Sequence, residues 1–434
     1  MKKSTNKSKE RDIILFVGYV AKNLVESIKK YSKKEKRKWK IGVIYDIKNI
    51  NPKSKKDLQN RDDLDFILSC DMSSHTKILK TILPYQEKIL AVTCRSDRYI
   101  PSFEKLIPHL PYLRTPTTES LKWSTDKILM RRMLFLHDKK ITPSYTVVHD
   151  AKKASIKKIE EKVGFPLVVK PAGLGASLLV SICYHKEELE KVLKLTFKKI
   201  NGVYKKMGGR GESASVLVEQ FMEGETYSVD VYVNSRGKVY FCPFVHVKTG
   251  KSIGFDDFFG YQQLTPTLLK PSKIKNAQEV SEKAVHALGL RSSSAHIELV
   301  KTEAGWKIIE LGPRIGGFRY EMYKYSYGID HVLNDIKIHI PEKPTIPKRI
   351  KGYTAVMKFF AKKEGVLTKL TGIKKALELK SFKNINVNKK IGDECKYAKN
   401  GGSSVFNIKL FNKNRSDLLA DIRRLEQMIE IVTK

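Results

Sequence analysis

Four short apolar runs, at 12–18, 39–46, 64–68 and 88–93, alternate with polar or helix-patterned stretches. This alternation constrains the fold more than any other feature of the chain. Apolar runs of strand length separated by helical segments are the pattern of parallel strands joined by crossover helices. A helix-like stretch follows the first run as far as Lys30, and another at 76–83 separates the last two. Residues 1–115 are therefore expected to form a parallel α/β unit offering loops at the carboxyl ends of its strands. Gly18 stands alone and makes no GxGxxG fingerprint, so no dinucleotide site is assigned there.

Pro108, Pro111 and Pro116 punctuate the end of that unit. A helix is expected from 125 to 136 with Asp126 in its acidic first turn, then a strand at 141–148 and a basic helix at 154–163. The strand 165–170, a glycine loop to Ser177 and a strand at 178–183 follow, then a Lys/Glu-rich helix and a loop at 205–213. Residues 216–311 are strand-rich around one helix at 274–288. The tail alternates β-like runs with turns and closes on an amphipathic helix at 415–431. Four units are expected: 1–115, 116–215, 216–345 and 346–434.

A formal charge of +37 raises the question of nucleic acid, but the excess is lysine spread along the whole chain and interleaved with glutamate. No segment alternates arginine with aromatic residues as a base-reading surface requires. Specific nucleic-acid binding is not expected, and nonspecific attraction to polyphosphates remains open. No apolar run reaches bilayer length, and residues 1–12 are polar and lysine-rich without an apolar signal core. The five cysteines are scattered without a CxxC, which argues against zinc and for reduced thiols. A cytoplasmic protein without membrane contact is expected.

Two carboxylates carry the strongest chemical signal. Residues 295–300 and 306–311 read as strands of a hairpin closed by a three-residue loop, Glu303-Ala304-Gly305. Thr302 then pairs with Trp306, and counting outward sets Glu298 opposite Glu310. Directly opposed side chains sit roughly 5 Å apart on one face. Two ionised carboxylates that close need a proton, a basic partner or a divalent cation between them. From spacing alone they could equally be two solvated glutamates. A Gly-rich turn with one arginine, Gly312-Pro313-Arg314-Ile315-Gly316-Gly317, follows at once.

Between two apolar strands lies Lys170-Pro171-Ala172-Gly173-Leu174-Gly175-Ala176-Ser177. Gly173 and Gly175 let backbone N–H groups approach an anion, Ser177 adds a donor, and Lys170 adds charge. No GK[ST] follows, so this is not a Walker loop, and by itself it could be an ordinary hairpin. Lys127 alone would be a solvated helix lysine.

In order along the chain, Asp126-Lys127, the strand to Lys170 with its glycine loop, the hinge-like run Glu219-Gln220-Phe221-Met222, and Glu298, Glu310 and Arg314 resemble the ATP-grasp superfamily. The resemblance covers roughly residues 12–340 and is nearest to the carboxylate–amine ligase branch of L-amino-acid ligases and carnosine-synthase-like enzymes. It implies an α/β (α+β) protein: an N-terminal parallel α/β domain, a small lid, and a larger ATP- and metal-binding domain with a C-terminal extension. It implies ATP with Mg2+ or Mn2+ as cofactors, small-molecule carboxylate and amine substrates, and a homo-oligomer, a dimer first of all. Lys127 and Lys170 match the phosphate-binding lysines. Gly173, Gly175 and Ser177 match the phosphate loop, and 219–222 the adenine hinge. Relatives often place a ribose-binding glutamate where this chain has Thr226; Thr226, Glu225 or another group takes that role. Gly312 stands where several relatives place a metal-binding asparagine, which leaves Glu298 and Glu310 as the metal pair. Arg314 and Lys170 are the implied catalytic cations. Gly316, Gly317 and His296 are implied at the substrate, with a structural histidine as the alternative for His296. Arg319 is expected either to pair with Glu321 or to reach substrate. The implied reaction is ADP-forming ligation through an acyl phosphate. A purine-biosynthesis or carboxylase-type ATP-grasp enzyme, and a basic nucleic-acid-binding protein on a degenerate fold, are the alternatives.

Overall fold

Ile13–Val17, buried along its whole length, lies inside a four-stranded parallel sheet ordered Phe66–Cys70, Lys40–Asp46, Ile13–Val17, Ile89–Cys94. The computed structural model describes residues 11–173, 178–207, 215–340 and 342–434. Alternate side chains of the first strand serve two cores, as a period of two demands. Ile13, Leu15 and Val17 pack with Ile78, Ile82 and Phe103. Ile14 and Phe16 pack with Val25 and Ile28, and with Tyr320, Val332 and Ile336 from far along the chain. Each such side chain stabilises the fold by about 1.5–3 kcal/mol on burial. The helices Arg319–Tyr327 and His331–His339 thus complete the N-terminal unit and lock it to the Gly-rich turn just before them.

The lid is a four-stranded antiparallel sheet ordered Tyr145–Val148, Val216–Gln220, Leu167–Pro171, Ser181–Cys183. Ile156, Ile159, Leu189, Leu193 and Ile200 from the helices Lys153–Lys162 and Lys186–Met207 form its core with Val169 and Val218. Because Val216–Gln220 is a lid strand, the seam falls after Gln220 and not at the expected 215/216 boundary. The loop expected at 205–213 begins as helix through Met207; residues 208–214 lie outside the described residues.

The large sheet has nine strands. It runs Gly305–Gly312, Ser293–Thr302, Glu225–Val233, Val245–Thr249, Gly260–Thr265 and then, across the expected 345/346 boundary, Tyr353–Phe359, Phe406–Asn412 and Phe382–Val387; the ninth, Val239–Phe241, pairs with Glu225–Val233 off this path. The C-terminal segment therefore extends this sheet rather than only packing on it. The final helix is Arg415–Met428, and Glu430–Thr433 is a strand on Gly365–Thr371, where Ile431, Val432 and Thr433 suit a pleated surface. Asp126 is the N-cap of Lys127–His137, its carboxylate accepting from the N–H groups of Ile128 and Leu129, and does not lie in the first turn. All five cysteines are buried and unbridged. Among the described residues no helix is long and apolar enough to cross a membrane.

Candidate active site

Glu298 and Glu310 are register partners, reached by a route different from the one the sequence suggested. The turn holds two residues, Glu303 and Ala304, and Thr302 pairs with Gly305, whose φ is +114°. Without correction Glu298 would face Ile309. A β-bulge between the pairs Leu299–Ile308 and Glu298–Glu310 restores the alignment. The bulge has a visible anchor in Arg131. Its guanidinium donates from Nη1 to the Ile308 carbonyl at 2.9 Å and from Nη2 to the Ile309 carbonyl.

Arg131 escaped sequence analysis because a helical arginine carries no motif, yet it is one of the largest fully buried side chains among the described residues. Its Nε also lies 2.5 Å from Glu219 Oε1, while Lys170 Nζ lies 2.6 Å from Glu219 Oε2. Burial pushes the Glu219 carboxyl up, but Arg131 and Lys170 outweigh it and hold the group at about 2. Burial lowers the proton affinity of Lys170, an effect that Glu219 and Glu310 oppose. Lys127 Nζ sits 3.0 Å from Glu310 Oε1. Lys127 therefore touches the carboxylate pair, whereas Lys170 is ion-paired with Glu219.

On the other side, His296 places Nδ1 2.6 Å from Asp230 Oδ1 and Nε2 3.4 Å from Glu298 Oε1. An imidazole facing two carboxylates is favoured in its doubly protonated form. Burial works against that charge, and Asp230 and Glu298 overcome it, raising the His296 pKa. Asp230 also accepts from His331 Nε2 at 2.6 Å and from the Gly316 N–H at 2.7 Å, which ties the Gly-rich turn to the strand below it. Burial pushes Glu298 up, but His296, Arg314 and Arg319 hold it at about 2. Arg314 gives Nε and Nη2 to Asp97 Oδ2 at 2.9 and 2.5 Å, so a side chain of the N-terminal unit already fills its fork. Arg319 does not pair with Glu321: it donates to Gln263 and Ser228, each at 2.6 Å, while Glu321 pairs with Lys409.

At the hinge, the Gln220 and Phe221 N–H groups donate to the Ser144 and Pro166 carbonyls, and Met222 follows in the connection to the next strand. Glu225 pairs with Lys301 at 3.0 Å and accepts from the Tyr227 hydroxyl, with Thr226 beside it in the strand. Gly173 donates its N–H to the Tyr204 hydroxyl at 2.7 Å. Gly175 and Ser177 lie outside the described residues. Gly317, like Gly316, lines a cavity between the turn and the N-terminal unit.

The described residues contain no cluster of three or more His, Cys, Asp and Glu side chains placed to hold a metal. Two half-exposed, opposed carboxylates nevertheless suit magnesium, a hard cation that retains waters and takes its remaining ligands from phosphate oxygens.

A lid sheet, a hinge, two lysines and an acidic hairpin on a large antiparallel sheet make up the ATP-grasp architecture, and the ATP-grasp domain family matches residues 163–321. Residues 163–321 therefore carry an ATP-grasp domain. The chain is 25% identical to the uncharacterized protein y4rH of Sinorhizobium fredii over 69% of this chain and 59% of that protein. It is 28% identical to the alanine–anticapsin ligase of Bacillus subtilis strain 168 over 39% of this chain and 38% of that ligase. The L-amino acid ligase structure from Bacillus licheniformis superposes with a TM-score of 0.73 at 17% identity, covering 98% of this chain and 100% of that one. Carboxylate–amine ligases are thus among the proteins this chain resembles in sequence and in fold. Its match spans less than two thirds of the curated relatives' own lengths.

Proposed function

We propose that this chain is an ADP-forming ligase that activates a carboxylate, an amino acid in the first instance, as an acyl phosphate and joins it to an amine. The observation that carries this reading is the contact of Lys127 with Glu310, whose register partner is Glu298. It sets a phosphate-binding cation against a carboxylate pair suited to magnesium. Lys127 and Lys170 bind and orient the nucleotide phosphates by charge-assisted hydrogen bonds. Glu298 and Glu310 would hold magnesium, which when bound neutralises charge on the phosphates during transfer. The substrate carboxylate attacks the terminal phosphorus and ADP leaves; the amine then attacks the acyl carbon and phosphate leaves. Arg314, whose fork is paired with Asp97, would have to exchange that carboxylate for the carbonyl oxygen that gains charge in the second step. The Arg131–Glu219–Lys170 group fixes the hinge strand so that the lid lysine keeps its position. We place the reaction in the cytoplasm and assign a homodimer, which light scattering tests.

Release of ADP is to be measured with ATP, Mg2+ and separate pools of amino acids, formate, bicarbonate and RNA, with products weighed by mass spectrometry. Amino-acid-dependent ADP formation with a condensed product is expected. Turnover with formate or bicarbonate alone moves the assignment to the purine-biosynthesis or carboxylase type, and no turnover in any pool refutes a ligase.

A further inference from the structure

In the N-terminal sheet the strand order reverses between Ile13–Val17 and Ile89–Cys94, and open α/β sheets bind ligands at the carboxyl ends of strands flanking such a reversal. A cavity of about 450 Å³ lies there, walled by Ala21, Asn23, Arg95 and Asp97 on one side and by Arg314 and Gly316 on the other. Its charges are unequal. Asp97 is committed to Arg314, and Glu321, also on the wall, to Lys409.

Arg95 is held far more loosely. Its side chain is 10% exposed, and Asp335, the only acid paired with it among the described residues, stands 3.9 Å away. The Asp335 oxygens already accept from the Thr93 hydroxyl at 2.7 Å and the Ser294 hydroxyl at 2.5 Å. Arg95 Nη1 is buried without a hydrogen bond, a costly state for a guanidinium. The helix Lys22–Lys34 also begins at this cavity without a side-chain cap among the described residues: Ala21 holds the N-cap position and no acidic residue lies in the first turn. An uncapped helix N-terminus presents free N–H groups and partial positive charge.

We infer that this cavity is a subsite for an oxyanion, carboxylate or phosphate, carried by the substrate away from its reacting atom and gripped by Arg95 and the N-terminus of helix Lys22–Lys34. The inference rests on the ligase reading and narrows it. The substrate bound between the N-terminal unit and the Gly-rich turn bears a second anionic group, so an acidic amino acid or a phosphorylated acid or amine is preferred over a neutral one.

Titration calorimetry of the full chain with inorganic phosphate and with succinate tests this, comparing wild type, Arg95→Gln and Ala21→Asp. The Asp variant caps the helix and leaves Arg95 in place, so loss of binding in it cannot come from misfolding. Each variant should weaken binding by at least about tenfold, the scale of one charge-assisted hydrogen bond. Tighter binding of phosphate marks a phosphorylated substrate; tighter binding of succinate marks a second carboxylate. Wild-type affinity in both variants, or no binding of either anion to wild type, overturns the inference. Arg95-dependent anion binding without ADP release from any carboxylate pool would instead overturn the ligase reading alone.

Discussion

Replacing Arg131 by methionine tests the site at a point no motif marks. The substitution keeps the aliphatic bulk and removes the guanidinium. Glu219 loses one of two cationic partners, and the Ile308 and Ile309 carbonyls lose their shared donor. Breaking a buried ion pair costs about 3–5 kcal/mol when the remaining charge is stranded. Lys170 still reaches Glu219 at 2.6 Å, which places the expected loss near the lower end, about 3 kcal/mol. By the usual scaling for domains of 150–250 residues this lowers the Tm by roughly 6–12 °C. A second effect is specific to this geometry. Without Arg131 the bulge loses its anchor, and a hairpin that relaxes to regular pairing sets Glu298 against Ile309, with Glu310 turned to the opposite face. Arg131→Met should therefore weaken Mg-ATP binding in calorimetry although Arg131 is placed in no contact with phosphate, and Arg131→Lys should restore part of it. A Tm within 2 °C of wild type together with unchanged Mg-ATP affinity refutes this account of the bulge.

Glu310→Gln and Glu298→Gln should each abolish ADP formation while leaving the fold intact, and the double variant should lose little more, because the pair acts as one unit; wild-type magnesium dependence in both singles removes them from the site. Lys170→Ala and Lys127→Ala should each weaken ATP binding by about 1.5–3 kcal/mol in calorimetry. Acid unfolding should report Glu219. Its carboxyl falls from an ordinary 4.5 to about 2 on folding, so its stabilisation is complete above 4.5 and disappears as the pH falls from 4.5 to 2. The shift corresponds to about 3 kcal/mol, partly offset by the burial of Lys170, and Glu219→Gln should flatten that limb of the pH–stability curve. Gly316→Ala puts a methyl group against the His296 ring and 2.8 Å from Arg319 Cγ, and should cost about 1–3 kcal/mol of stability along with ligation; a soluble, fully active Ala variant would show that the turn is looser than described.

The parallel strands of the N-terminal unit were legible because each is a bounded apolar run, and the lid because a lysine-ended strand meets a glycine loop. The pairing of Glu298 with Glu310 emerged through two compensating departures: the loop is one residue shorter than Gly305 suggested, and the bulge adds that residue back. A bulge held by a distant arginine leaves no local trace in sequence. Arg131, Asp97 and Arg95 were invisible for the same reason, since their roles come from partners between 88 and 240 positions away. The end of the last helix was misplaced because Glu430–Thr433 continues the amphipathic pattern while pairing as a strand with Gly365–Thr371.

The large sheet has a consequence for how the chain is made. Gly260–Thr265 finds its partner Tyr353–Phe359 only after about ninety further residues have been added. At ribosomal rates of 5–20 residues per second, its outer row of N–H and C=O groups stays open for roughly 5–20 s during synthesis. Its apolar residues Tyr261 and Leu264, which end in the C-terminal core, are uncovered for the same interval. An open edge with apolar side chains is a template for pairing with another nascent chain. Shortening the protein at residue 345 makes that interval permanent, so the last ninety residues are the finished molecule's guard against self-association and not a detachable appendix.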